Sequence, residues 1–191
     1  MRTVTRALLT LSALVLLGGP ALAGCAPTPT PKPSATATTD APVFASDADA
    51  LAAATEAYAA YDSMTAEIAA TGGTNPERIE PFVTVDYYPA LENGFQKFHE
   101  SGQVSQGNAS FDTVSLVGHE TLGPGMARVE VYLCSDVTNV RLHDISGADV
   151  TPAVRPNRIP LQIVLLSRAS NPSALLISEE KVWSGRDFCL Q

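Results

Sequence analysis

Ala127-Arg128-Val129-Glu130-Val131-Tyr132-Leu133 alternates apolar and polar side chains without a break. Successive side chains of a strand point to opposite faces, so Ala127, Val129, Val131 and Leu133 share one face and Arg128, Glu130 and Tyr132 the other. The run predicts a half-buried strand, and the rest of the chain must supply its partners and its cover. On its N-terminal side, residues 109–122 read as a strand, with Gly123-Pro124-Gly125 as the turn between the two. On its C-terminal side, residues 136–151 are polar, with a turn expected at Ser146-Gly147-Ala148-Asp149. Residues 159–168 are apolar on both faces, the pattern of a central strand. Asn171-Pro172-Ser173 is the expected turn into a last strand over 174–183.

Upstream of these strands the period changes to that of helices. Ser46 followed three residues later by Asp49 is an acidic variant of the capping box. Leu51, Ala54, Tyr58, Tyr61, Met64 and Ile68 follow at helical spacing, and Gly72-Gly73 stops the run. The spacing predicts a helix over 47–70. Asn75-Pro76 predicts a second cap and a short helix running into Pro81. Tyr87, Leu91, Phe95 and Phe98 mark one face of a third helix over 85–101, with Pro89 confined to its first turn. Gly94 inside it costs about 1 kcal/mol relative to Ala, which suggests close packing there. Helices followed by a run of antiparallel strands predict an α+β domain, with N-terminal helices packed on one face of a curved antiparallel sheet.

The ends of the chain bound its address. Arg2 and Arg6 precede an apolar stretch over 7–17, which at about 1.5 Å per residue is too short to span a bilayer. Gly18, Gly19 and Pro20 break it, and Leu22-Ala23-Gly24-Cys25 follows. This resembles the lipobox of bacterial lipoproteins. The resemblance implies cleavage between Gly24 and Cys25 and diacylglycerol on the Cys25 sulfur, an acyl anchor of the palmitate class. An ordinary secretory signal that happens to precede a cysteine is the plainer alternative. Residues 26–43 carry five prolines among Thr, Ala and Ser. Such a stretch buries no core and favours extended polyproline II, a spacer reaching roughly 55 Å. The expected organisation is a signal peptide over 1–24, an acylated Cys25 with a Pro/Thr-rich disordered tether over 25–45, and one folded domain over 46–191.

The composition is globular, at 45% hydrophobic and 17% charged. Removing Arg2 and Arg6 from the 12 basic residues leaves 10 against 20 acidic ones, net −10. A phosphate backbone would repel such a chain, which argues against nucleic acid as a partner. Anionic lipid would not hold it either, so membrane attachment would rest on acylated Cys25. There are 3 cysteines, and lipid on Cys25 leaves one pair, Cys134 and Cys189. In an up-down-up meander the strand ends that carry them lie together. A disulfide is the expected arrangement, and two buried free thiols are the other.

The helices through Tyr58-Ala59-Ala60-Tyr61 and Tyr87-Tyr88-Pro89, the hairpin strands over 129–136 and 178–183, and the closing Gly185-Arg186-Asp187-Phe188-Cys189 carry a resemblance. Together they resemble the nuclear-transport-factor-2-like superfamily, also called ketosteroid-isomerase-like, whose fold is a cone of helices and curved sheet. More narrowly, the chain resembles actinobacterial lipoproteins with this domain behind a Pro/Thr-rich tether. The resemblance covers about residues 46–190 and implies fold more than activity, because the superfamily holds isomerases, dehydratases and binding modules alike. Isomerase-like members imply a carboxylate base and a tyrosine or second acid inside the cone. Tyr58, Tyr61, Tyr87, Tyr88, Asp86, Asp112, Asp136 and Trp183 could line such a cavity, but no catalytic acid aligns with any of them. Tyr58, Tyr61, Tyr87 and Trp183 are therefore candidates for ligand binding, not catalysis, and tyrosines at helical spacing are more often core.

His99, His119 and His143 show no metal-ligand spacing, and His143-Asp144 reads as a solvated turn. No phosphate loop or nucleophile elbow occurs, so no cofactor and no catalytic residue is expected. Arg128, Tyr132, Arg141 and Trp183 are conceivable contacts on the sheet face. The expected function is a membrane-anchored extracytoplasmic lipoprotein whose non-enzymatic domain binds an envelope protein or a small apolar ligand. A tethered isomerase or dehydratase using acid–base residues in the cone is the alternative.

Overall fold

The computed structural model describes residues 42–168 and 170–190. The signal peptide expected over 1–24, the acylation site at Gly24 and Cys25, and tether residues 25–41 lie outside them. The described part is one compact unit of the α+β class, with helices packed against antiparallel sheets.

Helix α1 spans Asp47–Ala70, as the capping pattern predicts. The Ser46 hydroxyl accepts from the Asp49 backbone N–H at 3.2 Å, and Gly72 and Gly73 end the helix with φ of 69° and 77°. Left-handed backbone of this kind is open to glycine at little cost. Ala50, Ala54, Tyr58, Tyr61 and Ile68 form its buried stripe. The second helix is a 3-10 turn over Pro76–Phe82. Asn75 does not cap it as expected: Asn75 has left-handed backbone, φ 54°, and its side chain makes no cap bond. Helix α2 spans Tyr88–Glu100 with Pro89 in its first turn. Gly94 corrects another expectation. A β-carbon there would meet nothing within 4 Å, so the glycine marks no close contact.

The strands are β1 (Val104–Gln106), β2 (Ser110–Gly123), β3 (Met126–Asp136), β4 (Arg141–His143), β5 (Arg158–Arg168) and β6 (Asn171–Val182). Four of them form an antiparallel meander in the order β2-β3-β5-β6. The β3 alternation is realised: Ala127, Val129, Val131 and Leu133 are buried, and they face α1 in one core with Ile163, Leu165 and Ile177. Strand β5 is apolar on both faces because it lies inside the sheet. The last hairpin is tighter than Asn171-Pro172-Ser173 suggests, since Asn171 already pairs with Arg168.

The segment read as a polar connector contains β4, which pairs with β1 in a separate two-stranded sheet. Three-residue strands carry no alternation that a sequence pattern could show. His143 is accordingly a strand residue, half-buried, with its Nδ1 enclosed and unpartnered, and not a solvated turn. The turn itself falls at Asp144–Ala148, where the Asp144 carboxylate accepts from the backbone of Ser146 and Ala148.

Candidate functional site

A polar cluster lies between α1 and β6, inside an otherwise apolar core. Tyr58 and Tyr61, 3% and 4% exposed, come from the buried stripe of α1, with ring centroids 5.8 Å apart. Phe111 of β2 packs edge-on to Tyr58 at 4.9 Å. Tyr87 arrives from another direction. The chain after the 3-10 turn hooks onto β6, where Val83 bridges Ile177 and the Thr84 N–H donates to the Ile177 carbonyl at 2.9 Å. A turn then brings Tyr87 against Tyr61 and the Glu180 backbone.

Glu180 completes the cluster through a local irregularity. Leu165 pairs with Ile177 but Val164 pairs with Glu179, so Ser178 is an extra residue in β6. Its hydroxyl donates to the Val164 carbonyl at 3.1 Å. Strict alternation from Leu175 and Ile177 would turn Glu179 toward the helix. The bulge exchanges the two glutamates: Glu179 is exposed, and Glu180, opposite fully buried Ile163, faces the core. The Glu180 Oε2 atom is sealed from solvent and has no hydrogen-bond partner.

The electrostatics follow from that placement. Burial, then the charge of Asp62 on α1, pushes the Glu180 carboxyl up to about 7, against the opposing effect of the Tyr58 hydroxyl. Burial also raises Asp62. Tyr58 and Tyr61 are pushed far above the usual phenol range by burial and then by Glu180, so both stay protonated hydroxyls. Chemically the cluster is a set of hydroxyl donors around one acid that holds its proton near neutrality. The sequence offered one signal for it. Two consecutive glutamates in a strand beside a partner that is apolar on both faces force one of them inward.

Trp183 does not join the other three candidates. Its ring lies 4.7 Å from Tyr132, on the opposite face of the sheet, because Tyr132 alternates with buried Val131 and Leu133. Phe188 lies 5.7 Å from Tyr132 and extends this aromatic patch. A disulfide joins Cys134 to Cys189, with Cα atoms 5.6 Å apart, and clips the tail to that outer face. Asp112 and Asp136 are not in the helix-side interior either. Arg158 donates to both, at 2.6 and 3.0 Å, and to the Cys189 carbonyl at 3.1 Å. Arg128 bonds Glu130 at 2.7 Å on the same face, whereas Arg141 sits on β4 and bonds the carbonyls of Thr138 and Val140. Asp86 is exposed just before α2, and Tyr88, its first residue, is half-buried against the core with its hydroxyl donating to Glu92 at 3.1 Å.

The three histidines lie on separate elements. His99 Nδ1 is 3.0 Å from the Gly72 carbonyl and His119 Nε2 is 3.1 Å from Asp47, with His143 on β4. Among the described residues no group of His, Cys, Asp and Glu is placed to hold a metal, and no helix is long and apolar enough to cross a membrane. A groove of about 650 Å³ runs along α1 between Ala59, Asp62, Ser63 and Ala66 and the Ser105 to Ala109 connection.

No family model matches the chain, and no curated protein matches it. Solved structures do. The intermembrane-space region of the chloroplast protein ARC6 superposes with a TM-score of 0.51 at 13% identity, covering 71% of this chain and 97% of that one. A periplasmic fragment of TraM gives 0.48 at 13% identity, covering 74% and 100%. A protein from Catenulispora acidiphila gives 0.44 at 15% identity, covering 71% and 91%. At 13% identity the likeness to ARC6 is one of fold: an α+β domain of helices on antiparallel strands.

Proposed function

We propose that this chain is an acylated extracytoplasmic protein, held at the cell membrane through Cys25, whose domain binds a partner and carries out no chemistry. The observation that carries the reading is the Cys134–Cys189 pair. It accounts for two of the 3 cysteines and leaves Cys25 alone at the lipobox-like site. A disulfide also suits an oxidising compartment. Binding is favoured over catalysis because the rings of Tyr58, Tyr61 and Phe111 fill the helix–sheet interior and leave Tyr58 and Tyr61 almost without exposure. The partner is an envelope protein or a small apolar ligand. We read the domain itself as nuclear-transport-factor-2-like, on its element order.

Metabolic labelling with an alkyne fatty acid, followed by fractionation, tests the anchor. Wild type is expected to carry label in the membrane fraction, and Cys25→Ala to carry none and keep its signal peptide. Label retained by Cys25→Ala, or absent from wild type, overturns the reading. The second reading, a tethered isomerase or dehydratase, draws on the raised carboxyl of Glu180 beside tyrosine hydroxyls. It requires turnover by wild type of an isomerase- or dehydratase-class substrate that Glu180→Gln fails to turn over.

A further inference from the structure

Glu180 sits where an acid gains nothing for the core. A packed Leu or Met there would bury the same volume with no polar atom to satisfy. The groups that face it are Tyr58, Tyr61 and Asp62 from α1 and Tyr87 from the segment before α2. None is basic. Its chain neighbour Lys181 points to the other face and pairs with Glu179 at 2.9 Å. An ionised Glu180 therefore meets a second carboxylate and no cation. A protonated one turns Oε2, now unpartnered, into a donor toward the surrounding tyrosine oxygens.

We propose that Glu180 is a proton-operated latch on the seam between α1 and β6. With its proton it holds α1 and the Tyr87 segment against the edge strand; once ionised it loosens that seam while β2, β3 and β5 stay closed. The proton goes to solvent. Three observations localise the response. β6 is an edge strand, so one of its sides has no ladder. Among the described residues, its backbone-to-backbone ties to the segment over 83–87 are at Ile177, one residue before the bulge. Strands β3 and β5, by contrast, pair without interruption from Arg128 to Asp136. Local opening belongs to the weakly tied part of a fold. Asp62 also lines the groove along α1, which puts the like charge facing Glu180 within reach of solvent. The inference is independent of acylation at Cys25.

The test is hydrogen exchange of the full mature chain between about pH 5 and about pH 8, with rates corrected for intrinsic exchange. Protection of peptides from the middle of α1 and from residues 177–183 is expected to fall as pH rises, by up to about tenfold per pH unit below the Glu180 midpoint, and to level off above it, the dependence of an opening that releases one proton. Peptides from β3 are expected to hold. In Glu180→Gln the pH-dependent loss is expected to vanish. Asp62→Asn, which removes the facing charge, is expected to let Glu180 ionise at lower pH and to make the total loss of protection smaller. The direct readout is therefore the Glu180 carboxyl carbon resonance, whose midpoint is expected near neutrality in wild type and lower in Asp62→Asn. An unchanged loss in Glu180→Gln, a loss shared equally by β3, or a Glu180 resonance titrating in the ordinary carboxylate range overturns the latch.

Discussion

Glu130 and Glu180 stand on opposite faces of one sheet and show what a face does to a carboxylate. Burial pushes Glu130 up, but the Arg128 guanidinium and the Gln162 amide outweigh it and hold the carboxyl below its usual range. Asp112 and Asp136 on the same face are also lowered, the first chiefly by Arg158 and the second by Thr138 and then Arg158. Glu180 has burial and Asp62 against it, and goes the other way. The outer face keeps its acids charged and paired, while the inner face keeps its acid protonated. The two faces should therefore give stability opposite slopes with pH.

The largest test removes the clip on the outer face. Cys134→Ser with Cys189→Ser releases a loop of 55 residues. The chain-entropy model puts the loss at roughly 4 kcal/mol, read by urea unfolding. The tail carrying Phe188 should loosen from Tyr132, and the pH response of the inner face should survive. Loss of both together would break the separation of the two faces.

Next in size is the inner acid itself. Glu180 in the folded state sits near 7, above its ordinary 4.5, so the fold binds its proton more tightly than the unfolded chain does. The stabilisation is full below about 4.5 and is lost as pH rises through about 7, a change of roughly 3 kcal/mol. Glu180→Gln should flatten that limb in urea unfolding across the window. A wild-type stability that rises over the same window would contradict the assignment.

The outer face should act at the acid end. Glu130 is held below 4.5, so its contribution is present above that value and lost as pH falls through its folded one. Arg128→Met should cost about 1 kcal/mol at neutral pH and make the acid limb shallower. It should leave the Glu180 limb untouched, because Arg128 and Glu180 lie on different faces. A changed neutral limb in Arg128→Met would show the faces to be coupled.

What the sequence revealed follows the same division. Local chemistry was legible. Ser46 and Gly72-Gly73 bracket α1, and alternation assigns the two faces of β3. The Cys134–Cys189 pairing followed from strand ends and an odd cysteine count. Helical spacing marks Tyr58, Tyr61 and Tyr87, and these do come together, but Trp183 lies on the other face because the chain turns back over Tyr132 after β6. The pair Glu179-Glu180 signals that one acid faces inward, but not which, because one extra residue at Ser178 reverses the alternation that any strand pattern assumes. Strands β1 and β4 escaped for want of length, since their pairing rests on contacts nearly forty residues apart in sequence. Asn75 reads as a cap by composition, yet its backbone is left-handed, a conformation Asn tolerates better than most residues.

The smallest effect supplies the control for the rest. Gly94 lies in the middle of α2 on its solvent face, with nothing within 4 Å of the place a β-carbon would occupy. Ala there meets no neighbour and restricts the unfolded chain, so Gly94→Ala should stabilise by roughly 0.5–1 kcal/mol. The site touches neither carboxylate cluster. Its gain should therefore lift the whole stability curve evenly and leave both pH limbs with their wild-type slopes. A stabilised variant with a shifted neutral limb would mean that α2 reports on Glu180, through the Tyr87 segment that precedes it. No gain at all would mean that Gly94 serves a contact made outside the domain, which would return the solvent face of α2 to the search for the binding surface.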